Sequence, residues 1–152
     1  MKIIENGTVT SPKGYLGAGE HVGIKKAKKD LALIYSKVDA KAVGTFTQNI
    51  VKAAPVLWDK MIVDNYDHVR IIAVNSGVAN ACTGDEGLKC NEEFAQTVAA
   101  NFGLEKEEVL ICSTGVIGKQ LPMNKIINGV PIVKPLLSES QEAGVIVAES
   151  IM

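Results

Sequence analysis

The chain has 152 residues and a mass of 16.2 kDa, enough for one ordinary domain with a single core. Sixteen basic and seventeen acidic residues give a formal net charge of −1, so no overall positive field draws the chain to nucleic acid or to an anionic membrane. The composition is 47% hydrophobic and 22% charged, which excludes a disordered chain. We expect one domain over residues 1–152, with neither nucleic acid nor membrane as a partner.

Cysteine usage and the N-terminal residues indicate the compartment. The three cysteines Cys82, Cys90 and Cys112 are odd in number and include no Cys-x-x-Cys pair. They predict neither a disulfide framework nor a zinc site, and no cofactor motif accompanies them. Glu5 and Asn6 interrupt the apolar stretch that a secretory signal would need. We therefore expect a cytoplasmic protein without a bound metal or cofactor.

The first third of the chain predicts strands and turns. Closely spaced glycines over residues 14–23 favour an irregular strand or hairpin with close backbone approach. The lysine-rich run with Asp30, residues 25–30, is interpreted as a solvated hairpin tip rather than a phosphate-binding patch. Residues 31–35 and 42–47 are rich in β-formers and predict neighbouring strands joined by residues 36–40.

The middle of the chain predicts a strand, a loop and a helix. Pro55 is expected to open a short helix on which Trp58 serves as a core or interface anchor. The apolar run 70–75 predicts a buried strand, followed over 75–84 by a loop of small residues with room for a ligand. Helical spacing of apolar residues then leads to Gly103, which is typical of a left-handed helix end.

A second unit repeats this order. Residues 109–112 predict a buried strand and residues 113–118 a second small-residue loop. A helix from Pro122 is expected to end near Gly129 and Pro131. Two such units predict an α/β fold, a sheet with helices packed on it.

The last helix is expected to begin near Ser138, with Ser138 and Gln141 forming a capping box. One apolar stripe then runs along it, comprising Ala143, Val147, Ala148 and Ile151. Because the stripe still runs at Met152, we expect the sequence to be part of a longer precursor.

Few residues could perform nucleophilic catalysis unaided. The candidate nucleophiles are Ser76, Cys82, Cys112, Ser113 and Thr114. A hydroxyl or thiol needs a nearby base, and only His21 and His68 are available, so a self-contained Ser-His-Asp arrangement is disfavoured. No evident cation neighbours the cysteines, which are interpreted as small buried hydrophobes.

Thr114 and Gly115 suit a different role. A hydroxyl and a backbone N–H at the end of a strand are suitable donors to an oxyanion. An ordinary strand-to-helix turn would use the same residues, and local sequence alone leaves that alternative open.

Several motifs in order carry a resemblance over essentially the whole chain. They are SPKG at 11–14, KAAPVL at 52–57, NSGVANACTG at 75–84, STGVIG at 113–118, LPM at 121–123 and SIM at 150–152. Together they resemble the N-terminal part of the ornithine acetyltransferases, glutamate N-acetyltransferases of arginine biosynthesis. That family usually has NSGNAN where this chain has Val78, so one polar side chain is missing from the loop.

The resemblance implies a fold, an activity and two site residues. The fold would be an incomplete ornithine-acetyltransferase/DmpA-like fold, a mixed sheet with helices packed on it. Family members cleave themselves before an internal threonine, which takes the acetyl group from N-acetylornithine and passes it to glutamate. Thr114 and Gly115 match the pair that stabilises the oxyanion. Whether acetyl-CoA also serves as a donor is left open.

The resemblance further implies that these 152 residues are the N-terminal, alpha-chain part of the precursor. The end of the alpha region and the whole beta chain, with the nucleophile, would lie beyond Met152. The beta chain would be the partner in a heterodimer that pairs further, and this fragment alone would be inactive. Two alternatives stay open: an amidase or aminopeptidase of the same self-cleaving fold, and a non-catalytic binding module.

Overall fold

The structure, a computed structural model, describes residues 3–152. Its strands are β1 (Tyr15–Glu20), β2 (Leu31–Ala40), β3 (Val69–Val78) and β4 (Val109–Val116). Within the described residues they form one sheet in the order β1-β2-β3-β4. β2 pairs antiparallel with both β1 and β3, whereas β4 runs parallel to β3. The predicted mixed α/β sheet is confirmed.

Four α-helices accompany the strands in this part of the chain. They are α1 (Ala54–Asn65), α2 (Gly84–Phe102), α3 (Met123–Val133) and α4 (Gln141–Ile151). Short 3-10 turns at Lys106–Glu108 and Lys134–Leu136 follow α2 and α3. Between residues 3 and 152, no helix is long and apolar enough to cross a membrane.

The alternation of side chains along the strands divides the core between the two faces of the sheet. On one face, α2 and α3 pack against the odd-numbered residues of β2 and β3, with Phe94 and Ile126 fully buried among them. On the other face, α4 packs Val147 against Ala32 and Val74. Each large buried side chain contributes roughly 1.5–3 kcal/mol to stability.

The helix α4 lies very close to β1, and a glycine occupies the contact. A Cβ atom on Gly19 would stand 2.2 Å from the Ser150 hydroxyl oxygen. The close backbone approach predicted for this glycine-rich run is therefore confirmed, and its partner is the last turn of α4.

The first part of the open edge of β4, at Val109 and Ile111, is covered by α1. The Trp58 indole N–H donates to the carbonyl of Val109 at 2.9 Å, and the Asp59 carboxylate accepts from the Ile111 N–H at 2.9 Å. These bonds satisfy groups that an edge strand would otherwise leave unpaired. The predicted anchor role of Trp58 is confirmed.

Two predictions about strands are wrong. Residues 42–47 form no strand, because β2 already pairs with a neighbour on each side; Val43 is instead 89% exposed. Residues 36–40, expected to be a connection, are the second half of β2. The two predicted loops also begin later than expected, because the parallel pairing of β3 and β4 continues through their small residues to Val78 and Val116.

Two helix ends also differ from the prediction. The helix α3 continues through Pro131 to Val133, because Val130 and Val133 are fully buried and their burial offsets the roughly 3 kcal/mol cost of an internal proline. The N-cap of α4 is Ser140, not Ser138, since the Ser140 hydroxyl accepts from the Ala143 N–H at 3.1 Å.

The predicted apolar stripe of α4 is confirmed for Ala143 and Val147 and wrong for Ala148 and Ile151. Its buried residues are Ala143, Gly144, Val147 and Ser150. Ala148 and Ile151 are exposed, because the helix turns its close-packed small residues, rather than these two, toward the sheet.

Candidate active site

The motif residues meet where the parallel strands β3 and β4 end. Thr114 lies opposite Ser76, and Gly115 lies opposite Gly77. The carboxyl ends of parallel strands are where α/β proteins place their ligands. The loop of residues 21–30 reaches the same edge, because β2 begins there, with Leu31 opposite Asn75.

Replacing Gly115 by any other residue would push the neighbouring strand β3 away. The φ of Gly115 is +129°, and an added Cβ would stand 2.3 Å from the carbonyl carbon of Gly77. The absence of a side chain therefore lets the two strands approach, and it leaves the backbone of Gly115 exposed at the sheet edge.

The backbone alternation of β4 indicates where the Gly115 N–H points. The Val109 carbonyl and the Ile111 N–H point outward, to α1. The Val116 carbonyl points to the opposite side, where it accepts from the Ala79 N–H that follows β3. Continuing this alternation from Ile111 places the Gly115 N–H on the open side of β4. The exposed Thr114 hydroxyl has no hydrogen-bond partner within residues 3–152. Both groups are thus available as donors.

A buried amide fixes the strands around this pair. The Ser113 hydroxyl donates to Asn75 Oδ1 at 2.6 Å, and Asn75 Nδ2 donates to the Val78 carbonyl at 2.8 Å. Asn75 is fully buried, so these bonds replace the water that its amide loses. Sequence reasoning placed Asn75 at the junction of the predicted strand and loop and gave it no role of its own.

Val78, the departure from the family motif, is a packing residue in this chain. It is 3% exposed and lies in the main core. The amide of Asn75 reaches only its backbone carbonyl, so this bond does not depend on the side chain at position 78.

Hydrogen bonds also connect the segment after β3 with the segment after β4. Asn80, with a φ of +48°, donates to the Gly87 carbonyl and accepts from the Thr83 hydroxyl. The Gly118 N–H donates to the carbonyl of Ala81 at 2.8 Å. These bonds join the start of α2 to the segment after β4 and so make the site edge one unit.

The other candidate nucleophiles are engaged or unreactive. The Ser76 hydroxyl donates to the Ser150 carbonyl at 2.5 Å, and Ser113 is bonded to Asn75. Cys112 is exposed as a residue, but desolvation of its thiol, with a smaller effect of the Asp59 charge, raises the thiol pKa to about 11. Cys112 is therefore a neutral thiol near pH 7. Cys82 is exposed, so its predicted burial is wrong, whereas Cys112 is shielded at its thiol only.

Neither histidine hydrogen-bonds to a candidate nucleophile within the described residues. His21 Nδ1 lies 2.8 Å from the Lys28 carbonyl and 3.1 Å from Asp30 Oδ2. His68 precedes β3 and lies at the opposite end of the sheet, where its Nε2 is 3.3 Å from Glu108 Oε1. The described part of the chain places hydrogen-bond donors at this edge, and neither histidine is bonded to a candidate nucleophile there.

One surface cluster has the residue types of a metal site. Asp39, His68 and Glu108 bring ligand atoms within 4.8 Å of one another. The Arg70 guanidinium also lies 3.4 Å from Asp39 Oδ1 and would repel a cation there. The cluster is at the amino end of β3, away from Thr114 and Gly115.

The surroundings of Asp30 differ most from the prediction, which was a solvated hairpin tip. Asp30 is fully buried, and its carboxylate accepts from the N–H groups of Val22 and Lys25, each at 2.7 Å. Its carbonyl accepts from the Ser76 N–H at 2.9 Å. The expected solvated turn is thus organised around an internal carboxylate that attaches the 21–30 loop to β3.

Comparison with known proteins identifies the family. The model of the ArgJ family matches residues 17–152. The chain belongs to the ArgJ family. It is 45% identical, over 152 residues, to the arginine biosynthesis bifunctional protein ArgJ of Caldanaerobacter subterraneus subsp. tengcongensis. It covers 37% of that relative and 30% of the Thermotoga neapolitana one, so the chain spans about a third of the length of the curated ArgJ proteins it matches.

Two solved ArgJ structures share the fold described above. An ornithine acetyltransferase of Mycobacterium tuberculosis, solved in complex with ornithine, superposes with a TM-score of 0.95 at 39% identity. The match covers 99% of this chain and 81% of that one. ArgJ from Bacillus halodurans gives a TM-score of 0.92 at 36% identity, with 97% and 76% of the two chains covered. The predicted family and fold are confirmed.

Proposed function

We propose that the protein is a glutamate N-acetyltransferase that moves the acetyl group of N-acetylornithine to glutamate. The observation that supports this most is the pair of free donors, the Thr114 hydroxyl and the Gly115 N–H, at the carboxyl end of β4 in a member of the ArgJ family. The ornithine held by the Mycobacterium tuberculosis relative is of the same substrate class.

The proposed reaction has two half-reactions through one acyl-enzyme. A threonine hydroxyl attacks the acetyl carbonyl, the C–N bond breaks, and ornithine leaves with the proton on its amine. The glutamate amine then attacks the acyl-threonine, and the threonine oxygen leaves as N-acetylglutamate forms. Each attack puts negative charge on the carbonyl oxygen, and Thr114 and Gly115 donate to it in both steps.

We further propose that these residues supply the oxyanion hole and that the nucleophile lies in the rest of the protein. Apolar side chains beside the site support this, since Val116, Ile117 and Ile151 are 58%, 65% and 44% exposed. Such neighbouring apolar groups favour a covering surface. The beta chain of the same self-cleaved precursor is the proposed partner, and residues 1–152 alone are then inactive. The expected cytoplasmic location and further pairing of heterodimers stay predictions.

The test uses the protein expressed from its complete reading frame. Intact mass should show two chains that meet at an internal threonine, and purified protein should form N-acetylglutamate from N-acetylornithine and glutamate. Free acetate in place of N-acetylglutamate would support the amidase alternative. A single uncleaved chain without acetyl transfer would overturn the proposal and favour a binding module.

A further inference from the structure

Lys25 holds a positive charge with no counterpart. Its ammonium nitrogen is shielded from solvent and has no hydrogen-bond partner within residues 3–152. It forms none of the ion pairs of the described chain, although Lys29 in the same loop pairs with Glu149 at 3.4 Å. A buried, unpaired ammonium is costly, so an acceptor for it is expected from elsewhere.

Lys25 lies at the edge that holds Thr114 and Gly115. Its Cγ atom is 3.0 Å from the position that a Cβ on Gly77 would occupy, and Gly77 is the residue opposite Gly115. The side chain therefore lies against the end of β3, the strand next to the one that carries Thr114 and Gly115.

The backbone of Lys25 is fixed by a hydrogen bond, while its ammonium has no partner in the described chain. The Lys25 N–H donates to Asp30 Oδ2 at 2.7 Å, and the Asp30 carbonyl is bonded to Ser76 on β3. The Asp30 carboxylate is thus occupied by backbone donors and is not the partner of the Lys25 ammonium. The flexible four-carbon stem allows the ammonium to reach a ligand that arrives at the site.

We propose that Lys25 binds a carboxylate that reaches the candidate active site from outside residues 3–152. An ammonium has three donors and no acceptor, and a carboxylate satisfies both its charge and its hydrogen bonds. This carboxylate has one of two sources. The first is the α-carboxylate that glutamate and N-acetylornithine each carry, and this source rests on the proposed function. The other source is an acidic side chain in the rest of the protein.

The experiment compares Lys25→Met with Lys26→Met in the full-length protein. Both changes remove one positive charge from the same loop, but Lys26 is exposed and serves as the matched control. The measurements are kcat and KM for both substrates and the Tm without substrate. Lys25→Arg keeps the charge and tests rescue, and Lys25→Gln replaces Lys25→Met if the methionine variant does not fold.

Each outcome decides the inference. A substrate carboxylate predicts that Lys25→Met raises KM for both substrates roughly ten- to hundredfold, leaves kcat within about twofold and leaves the Tm unchanged. A protein carboxylate predicts a lower Tm with unchanged KM. Rescue by Lys25→Arg is expected in either case. A Lys25→Met protein that matches Lys26→Met in both KM and Tm would overturn the inference.

Failure of the proposed function is separable from failure of this inference. If the wild-type protein transfers no acetyl group, the proposed function is wrong. The role of Lys25 is then decided by the Tm and by calorimetric binding of glutamate to the wild type and to Lys25→Met. Equal affinity and equal Tm in the two proteins would contradict a carboxylate at Lys25.

Discussion

Gly115 on β4 lies so close to Gly77 on β3 that a methyl group on Gly115 would stand 2.3 Å from the Gly77 carbonyl carbon. The contact occurs at the last rungs of the parallel ladder, where the Thr114 hydroxyl and the Gly115 N–H become available. The strand spacing and the proposed oxyanion donors therefore depend on the same residue.

Gly115→Ala is expected to abolish acetyl transfer and to lower the Tm. The added Cβ collides with the β3 backbone, and the φ of +129° is strained for any side chain. Gly118→Ala is the control, because Gly118 also has a positive φ but no atom lies within 4 Å of its added Cβ. That control should lose about 1–2 kcal/mol of stability and keep its activity. A Gly115→Ala protein as active as Gly118→Ala would show that the contact is unimportant.

Asp59 makes the stability depend on pH between about 4 and 6. Burial raises its pKa from 3.8 to about 6, and the hydrogen bond from the Ile111 N–H opposes part of this shift. The folded protein thus binds the proton more tightly than the unfolded chain, and stability falls as the pH rises through this range. The loss at pH 7 is roughly 2–3 kcal/mol.

Asp59→Asn removes this titration and keeps an oxygen acceptor for the Ile111 N–H. Its Tm should change less than the wild-type Tm between pH 4.5 and pH 7. Asp64→Asn is the control on the same helix, since Asp64 is exposed and pairs with Lys60. Parallel profiles for wild type and Asp59→Asn would mean that Asp59 is not the group responsible.

Ser113→Ala is expected to destabilise the protein by about 1–3 kcal/mol, because Asn75 Oδ1 loses its hydroxyl donor in a buried site. Thermal unfolding of the full-length variant measures this. Ser138→Ala is the comparison, because the Ser138 hydroxyl accepts only from the exposed Ser140 N–H, at 3.1 Å. Equal Tm values for the two variants would indicate that water replaces the lost donor at Asn75.

Local features of the fold could be predicted because they depend on neighbouring residues. The glycine C-cap at Gly103, with a φ of +67°, ends α2 as expected, and the apolar runs before the two loops are buried strands. Backbone conformation and periodicity are properties of a few consecutive residues, so a single sequence reveals them.

Features that depend on distant partners could not be predicted. Residues 42–47 have the composition of a strand, but β2 has no free side left for them. Asp30 resembles a surface charge among lysines, yet its carbonyl bonds Ser76, which lies 46 positions later. The unpaired ammonium of Lys25 was missed for the same reason, since only the fold brings it to Gly77.

The central claim is that the Thr114 hydroxyl and the Gly115 N–H stabilise the oxyanion of acetyl transfer. The most direct measurement is kcat for acetyl transfer from N-acetylornithine to glutamate by full-length Thr114→Val and Thr114→Ser, normalised to the amount of cleaved protein. Loss of one oxyanion donor should lower kcat of Thr114→Val roughly 10²–10³-fold with KM nearly unchanged. Thr114→Ser, which keeps the hydroxyl, should retain most of the activity. A Thr114→Val protein with wild-type kcat would contradict the account.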